Sequence, residues 1–141
     1  MKGTDTRRFL DTNVLLYSIS TDPKEREKRA RAIDLLDQDD CSLSVQVLQE
    51  FYVQATRPTR PQPISHSLAC AMMKTWLRFQ IQQMTLPLLF HALDIKGRYG
   101  FSYWDCAIIA AAHAQGCKEL YSEDLSEGQI VEGVQIVNPF R

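Results

Sequence analysis

Short β-prone segments alternate with longer helix-forming segments along this chain, and this alternation constrains the fold more than any other feature. The β-prone segments cover residues 8–10, 41–44, 82–86, 118–121 and 134–137. Strands separated by helices usually pair in parallel, because the helix carries the chain back to the starting end of the sheet. The pattern predicts an α/β fold: a three-layer α/β/α domain with a short central parallel sheet of four to five strands. With 141 residues and no internal repeat, one domain spanning residues 1–141 is expected.

Two helix-forming segments bear on the core of this domain. Residues 65–80 are predicted to form one helix, whose buried stripe would be Leu68, Met72, Trp76 and Phe79. The Ala-rich segment from Ser102 to Gln115 is predicted to form another helix, with side chains small enough to pack closely against the sheet. Gly116 then ends this helix and releases the chain into the next strand.

Charge and cysteine content argue against several classes of protein. The net charge is −1, so no overall basic field of the kind found on nucleic-acid-binding domains is present. The four cysteines form no CxxC pair and lack zinc-like spacing to histidine, which favours reduced thiols. The start, MKGTDTRRFLDTN, lacks a signal-peptide core, and the longest apolar stretch, 106–112, is far below the ~20 residues of a membrane span. We expect a soluble, cytoplasmic protein without a membrane partner.

Four acidic residues stand where strands are predicted to end or helices to turn: Asp11, Glu50, Asp105 and Asp124. Asp11 follows an apolar segment and precedes a helix, so it suits both a helix N-cap and a metal ligand at the end of a strand. Asp105 lies three residues after Ser102, the spacing of a capping box. The two roles are compatible, because one carboxylate oxygen can cap a helix while the other binds a metal ion.

Asp124 and Glu50 have weaker local signals. Asp124 directly follows a predicted strand and is either a turn residue or a ligand. Its neighbour Glu123 is a competing candidate that the sequence does not separate from it by chemistry. Glu50 falls at the edge of the apolar arc of its helix, where a solvated surface charge is the simplest interpretation.

Carboxylates brought together by the fold would form a site for a hard metal ion. Packed like charges raise one another's pKa and destabilise the fold unless a cation neutralises them. One or two Mg²⁺ or Mn²⁺ ions fit such an all-oxygen site, where water can be activated for attack on a phosphodiester. Thr12, Asn13 and Ser102 are candidate supporting residues that hold water or ligand oxygens. Residue spacing alone does not establish this site.

Four segments, FLDTNVLLY (9–17), LQEFY (48–52), FSYWDCAIIAAA (101–112) and LYSEDLSEG (120–128), together resemble a known family. In order and separation they are similar to the PIN-domain ribonucleases, and most similar to the VapC-type toxins of bacterial toxin–antitoxin pairs. The resemblance spans essentially the whole chain. It implies a PIN-like nuclease domain with a small parallel sheet and the activity of a Mg²⁺/Mn²⁺-dependent endoribonuclease, a hydrolase.

The resemblance also assigns roles to residues. The positions that match the metal-binding and catalytic set of the family are Asp11, Glu50, Asp105 and Asp124. The positions that match its polar active-site neighbours are Thr12, Asn13 and Ser102, with Glu123 secondary because it precedes the matched position. The implied partners are an RNA substrate, a cognate antitoxin protein and a second copy of the chain in a homodimer.

RNA contacts have several candidates near the matched segments. Arg57 and Arg60 lie on a loop with three prolines and are the preferred contacts for the RNA backbone, ahead of Arg78, Lys96 and Arg98. Each of these is more simply a solubilising surface charge. Tyr103 is a candidate for stacking on a base, whereas Trp104 is expected mainly to pack in the core. The alternative function is a non-catalytic PIN-fold module that binds nucleic acid; a structural scaffold is less favoured, because all four acidic positions are filled.

Overall fold

A six-stranded sheet forms the centre of the molecule in the computed structural model, which describes residues 7–141. Its strands are β1 (Arg8–Leu10), β2 (Cys41–Ser44), β3 (Gln80–Gln82), β4 (Glu119–Tyr121), β5 (Ile130–Val131) and β6 (Val134–Val137). The six helices of the described chain are α1 (Thr12–Ser18), α2 (Arg26–Leu36), α3 (Val45–Thr56), α4 (His66–Thr75), α5 (Leu86–Tyr99) and α6 (Tyr103–Ala114). The α/β fold class predicted from the sequence is confirmed.

The sheet is larger than predicted, because it has a sixth, antiparallel strand. β1, β2, β3, β4 and β6 pair in parallel, whereas β5 pairs antiparallel with β6. Glu132 and Gly133 connect this hairpin with φ values of 54° and 78°. Positive φ at both central residues is the mark of a type I′ turn, which usually carries Asn-Gly or Asp-Gly. The hairpin was not predicted because its turn carries Glu-Gly in place of these pairs, and because β5 is only two residues long.

The strand order β3-β2-β1-β4-β6-β5 creates a switch point between β1 and β4. From β1 the chain extends the sheet to one side through β2 and β3, and it then returns to place β4 on the other side of β1. Loops diverge in opposite directions at such a point and leave a crevice at the carboxyl ends of the strands. Asp11 follows β1 and Ser122 follows β4, and the Asp11 N–H donates to the Tyr121 carbonyl at 3.0 Å.

The middle of helix α6 is buried on all sides, and this fixes the position of its first turn. Every residue from 106 to 112 is buried, because α5 packs along α6 and α6 in turn contacts β2, β4 and β6. The four alanines within that stretch permit the close approach predicted from the sequence. Gly116 then adopts φ +73°, the left-handed conformation that ends the helix as expected.

The helix predicted over residues 65–80 was partly wrong. α4 ends at Thr75 and a single 3₁₀ turn, Trp76–Arg78, follows it. β3 then begins at Gln80, two residues before the predicted strand, because Ser42 and Leu43 of β2 pair with Gln80 and Ile81. Residues 83–85 instead lead into α5, which begins at Leu86, and the Thr85 side chain caps it by accepting a hydrogen bond from the Leu88 N–H. Leu68, predicted to be buried, is exposed.

No helix within residues 7–141 combines the length and the apolar character that crossing a membrane requires. Residues 1–6, which belong to the start inspected for a signal peptide, lie outside the described residues.

Candidate active site at the switch point of the sheet

Asp11 lies at the carboxyl end of β1 and is held there by two hydrogen bonds. Its Oδ1 accepts from the Thr12 N–H at 2.7 Å, so it caps α1 as predicted. Its Oδ2 accepts from the Ser122 hydroxyl at 2.7 Å, which links the end of β1 to the end of β4. The side chain is buried, and a carboxylate with one donor on each oxygen still has lone pairs to offer a ligand.

Glu50 is tied to this region through Thr12 and Gln46. The Thr12 hydroxyl donates to Glu50 Oε1 at 2.6 Å, and the Gln46 amide donates to Glu50 Oε2 at 3.1 Å. The same amide nitrogen donates to the Trp104 carbonyl at 3.2 Å, which joins α3 to the first turn of α6. Glu50 is therefore half-buried and fixed in place, unlike the solvated surface charge suggested by the helical pattern.

Asp124 is placed by the turn that follows β4. Its N–H donates to the Ser122 hydroxyl at 3.1 Å, and its Oδ2 accepts from the Asn13 amide at 3.1 Å. Asn13 Oδ1 accepts in return from the Glu123 N–H at 3.4 Å. Asn13 thus fastens the turn to α1, and the Ser122 hydroxyl serves Asp11 and Asp124 together.

Asp105 occupies the first turn of α6. The Ser102 hydroxyl accepts from the Asp105 N–H at 3.2 Å, so Ser102 caps the helix as the sequence predicted. Because the following seven residues are buried, the backbone that carries Asp105 has little freedom to move.

The four carboxylates line one cavity of about 200 Å³, here called the acidic cavity. Its lining is Asp11, Thr12, Asn13, Leu16, Gln46, Glu50, Gln54, Trp104, Asp105, Ile108 and Asp124. None of the described residues in this lining is Lys, Arg or His. The fold therefore gathers acidic groups from four separate segments of the chain around one space and places no basic side chain among them.

The acidic surroundings are reflected in the pKa values of two of these groups. Burial raises the pKa of Asp11 from 3.8 to about 6; the bonds from Ser122 and Thr12 oppose this, and the charges of Glu50 and Asp124 add to it. Burial likewise raises the pKa of Asp105, with further increments from the charges of Asp124 and Glu50. Neighbouring carboxylates that shift one another in this way are short of positive charge.

The family model of the PIN domain matches residues 8–126, which is most of the chain. The chain belongs to the PIN domain family. No curated protein matches the sequence closely enough to add a nearer relative.

Solved structures share the PIN fold of this chain. A toxin–antitoxin complex from Klebsiella pneumoniae has a TM-score of 0.69 at 18% identity, covering 94% of this chain and 97% of that one. VapC20 of Mycobacterium tuberculosis, a toxin that cleaves the sarcin–ricin loop, has a TM-score of 0.66 at 20% identity, covering 91% and 98%. FitAcB of Neisseria gonorrhoeae has a TM-score of 0.69 at 19% identity, covering 94% and 98%. At these identities the likeness shows the fold.

The carboxylates of this PIN domain line the acidic cavity without forming a finished metal site. Within residues 7–141, no three His, Cys, Asp or Glu side chains form a group able to hold a metal ion as they stand. The donor set nevertheless fits a hard divalent cation, because it consists of oxygens alone and carries uncompensated negative charge.

Glu123 turns away from the acidic cavity. Its two carboxylate oxygens accept from the Tyr17 hydroxyl and from Lys28 Nζ, and Lys28 also donates to Tyr17 at 3.2 Å. Burial acts to raise the pKa of Glu123, but the bonds from Lys28 and Tyr17 outweigh it, and the pKa is lowered. Glu123 pairs with Lys28 of α2, and through this ion pair it anchors the turn that carries Asp124.

The four arginines among the candidate RNA contacts divide into two groups. Arg78 donates to the carbonyls of Leu36 and Thr75, and Arg98 pairs with Asp94 and Glu132, so both are engaged in the fold. Arg57 lines a cavity that shares Glu50 and Trp104 with the acidic cavity. Arg60 lines a second neighbouring cavity, which shares Asn13, Leu16 and Asp124 with it. The two preferred arginines thus flank the acidic cavity on two sides.

Trp104 was expected in the core, and this was wrong, because 60% of its surface is exposed. The stretch of buried α6 residues begins at Cys106, so the first turn of the helix stands at the surface with Trp104 on its open side. Tyr103 is half-buried instead and meets the indole edge-on, with ring centroids 5.0 Å apart.

Two residues that orient the carboxylates were missed by the sequence analysis, Ser122 and Gln46. The signal for Ser122 was its place directly after a strand and two residues before Asp124, the spacing of a serine turn. The signal for Gln46 was its position one helical turn before Glu50. Neither signal reveals Asp11 or Trp104 as the second partner, because those contacts span 111 and 58 residues of sequence.

Proposed function

We propose that this PIN domain, taken as one domain over residues 1–141, is a Mg²⁺- or Mn²⁺-dependent endoribonuclease. It hydrolyses phosphodiester bonds and leaves a 5′-phosphate and a 3′-hydroxyl. The observation that carries this proposal is the acidic cavity: four carboxylates from four segments line one space at the switch point, without a basic side chain in its described lining.

Asp11, Glu50, Asp105 and Asp124 are the residues that would hold one or two ions. When bound, such an ion polarises a phosphate oxygen and lowers the pKa of a coordinated water. The chain's own residues prepare for this: Ser122 and Thr12 present hydroxyl donors to Asp11 and Glu50, which fixes how each carboxylate faces the cavity. Asn13 does the same for Asp124.

Arg57 and Arg60 would hold the RNA on either side of the acidic cavity. Within the described chain neither side chain forms an ion pair, so both charges are free to contact phosphates. A chain of net charge −1 repels a polyanion overall, so local arginines and bound cations must supply the attraction.

The biological role that fits this activity is the toxin of a type II toxin–antitoxin pair. Structures with this fold include toxin–antitoxin complexes, some of them bound to DNA. By analogy, the partners would be a cognate antitoxin and a second copy of the chain, and the site of action would be the cytoplasm. The resemblance of the four matched segments to VapC-type toxins supports the same role.

Metal removal tests the proposed reaction. Purified protein should cleave structured RNA with Mg²⁺ or Mn²⁺, stop cleaving when EDTA is added, and recover when Mn²⁺ is restored in excess. Its products should be substrates for an exonuclease that requires a 5′-phosphate. Cleavage that persists in EDTA, or products with 2′,3′-cyclic phosphates, would contradict the proposal. RNA binding without any cleavage would favour the non-catalytic binding module.

Ser122→Ala tests the support given to the carboxylates. Loss of the hydroxyl leaves Asp11 Oδ2 and the Asp124 N–H without their shared partner, so we expect Mn²⁺ affinity to fall by roughly 10–100-fold. Titration calorimetry measures this. Ser18→Ala is the matched control, because Ser18 is also buried but bonds only to the Leu15 carbonyl. Equal Mn²⁺ affinity in the two variants would show that Ser122 does not orient the ligands.

A further inference from the structure

Beside the acidic cavity lies a second cavity of about 330 Å³, here called the indole cavity. Its lining is Gln46, Gln49, Glu50, Val53, Gln54, Arg57 and Trp104. Gln46, Glu50, Gln54 and Trp104 line both cavities, so the two adjoin along α3 and the first turn of α6. A chain whose phosphate lies at the carboxylates therefore places an adjoining nucleotide at the indole cavity.

Trp104 gives the indole cavity an aromatic wall that is already in position. Its backbone carbonyl accepts from the Gln46 amide, and its ring meets Tyr103 edge-on at an interplanar angle of 77°. The indole is thus held in a T-shaped contact with Tyr103, while 60% of the residue remains exposed. Val53, which is 53% exposed, adds a second apolar side chain to the same lining.

The polar groups of the indole cavity suit the edges of a base and a phosphate. Gln49 and Gln54 contribute neutral amides, each with two donors and an acceptor, the groups that base edges pair with. Arg57 contributes the one positive charge in this described lining. Glu50, shared with the acidic cavity, is the one carboxylate in this described lining; the aromatic face, the neutral amides and the arginine are groups by which proteins hold an unpaired nucleotide.

We propose that the indole cavity is a subsite for one unpaired nucleobase next to the cleaved phosphodiester, with the base stacked on Trp104 and its phosphate paired with Arg57. This inference rests on the proposed function, because the acidic cavity fixes where the phosphodiester lies. The subsite restricts cleavage to RNA in which the nucleotide beside the cut is free to leave its own stack. Loops and bulges meet that condition, whereas continuous duplex does not.

Binding of a single-stranded oligoribonucleotide of about 10 nucleotides, measured in EDTA so that no cleavage occurs, tests the subsite. Trp104→Ala should weaken binding by roughly 10-fold, within the range for losing one stacked base, and Trp104→Phe should keep most of the affinity. Phe90→Ala is the matched control, because Phe90 is also 60% exposed but lies on α5 outside both linings. An equal Kd for Trp104→Ala and Phe90→Ala overturns the subsite.

A second measurement reports on the indole directly. The chain has two tryptophans, and Trp76 is buried in the core, so Trp76→Phe leaves Trp104 as the only indole emitter. Its fluorescence should be quenched saturably by the oligoribonucleotide and left unquenched by a fully abasic oligonucleotide of the same length. Equal quenching by the two overturns the assignment of a stacked base to this site.

The outcomes separate this inference from the proposed function. If wild type cleaves RNA with Mn²⁺ and Trp104→Ala cleaves it with an unchanged KM, the nuclease proposal stands and the subsite fails. If wild type never cleaves, yet the oligoribonucleotide quenches Trp104 and the abasic one does not, the indole cavity is a base-binding site, and the nuclease proposal fails. If Trp104→Ala changes the sedimenting mass and leaves RNA affinity unchanged, a second copy covers this surface and the subsite is overturned.

Discussion

Asp11→Asn is expected to lower the rate of RNA cleavage by roughly 10²–10³-fold, the range for removing one fixed electrostatic contact to a transition state. The substitution keeps the size and the buried position of the side chain but removes one of the four carboxylates that line the acidic cavity. The asparagine amide has one acceptor oxygen where the carboxylate has two. Either the Thr12 N–H or the Ser122 hydroxyl therefore loses its acceptor. Single-turnover cleavage with saturating Mn²⁺ measures the loss.

The same variant should change how stability depends on pH. The pKa of Asp11 is about 6 in the folded protein and 3.8 in the unfolded chain, so the folded state binds more protons between these values. The free energy of unfolding therefore falls as pH rises through this window, by about 3 kcal/mol for this group. Below 3.8 the penalty is absent, and above about 6 it is complete. Asp11→Asn should remove this fall when unfolding is measured in EDTA.

Mn²⁺ should reverse that penalty in wild type and leave Asp11→Asn unaffected. A ligand at about 100 times its Kd adds about 2.7 kcal/mol to the stability of the form it binds. For a domain of this size that corresponds to a Tm increase of roughly 5–15 °C. Asp34→Asn is the matched control, because Asp34 is an exposed carboxylate on α2 outside the acidic cavity. Equal cleavage and an equal Tm response in the two variants would refute the role given to Asp11.

The fold was largely predictable because its signals are local. Segments such as Arg8–Leu10 and Cys41–Ser44 are short and each is soon followed by a helix start, so the alternation that defines a parallel α/β fold is visible along the chain. Asp11 and Ser102 were recognisable as caps for the same reason, since a cap bonds to residues within one turn. β3 was misplaced because its bounds are set by pairing with β2, which local periodicity does not report.

The sequence predicted the four candidate metal ligands, but not the hydrogen bonds that orient them. Asp11, Asp105 and Asp124 each follow a strand or start a helix, so topology brings them to one edge of the sheet. The bonds of Ser122 to Asp11 and of Gln46 to Trp104 join segments far apart in sequence, and only the folded chain reveals them. Trp104 was wrongly expected in the core because an aromatic residue in an apolar helix is usually buried. Whether the first turn of that helix is buried depends on what packs around it, which the sequence does not show.

Glu50→Gln is expected to lower cleavage by on the order of 10²-fold, although Glu50 had the weakest signal in the sequence. In the folded chain its Oε1 accepts from the Thr12 hydroxyl and its Oε2 from the Gln46 amide. A glutamine offers one acceptor in place of two, so one of these buried donors loses its partner, at a cost of about 1–3 kcal/mol. Chemical denaturation and single-turnover cleavage measure the two effects separately.

The exchange Gln46→Glu with Glu50→Gln separates the charge from its position. The double variant keeps the net charge and the hydrogen bond between positions 46 and 50, since the amide at 50 can donate to the carboxylate at 46. It moves the carboxylate one turn back along α3 and removes the donor to the Trp104 carbonyl. A buried carboxylate at position 46 would face the Trp104 carbonyl with no proton between them, so the double variant should be less stable than Glu50→Gln, and its cleavage should stay low. If the double variant cleaves RNA as fast as wild type, cleavage requires a negative charge on α3, and the role of Glu50 as a metal ligand is refuted.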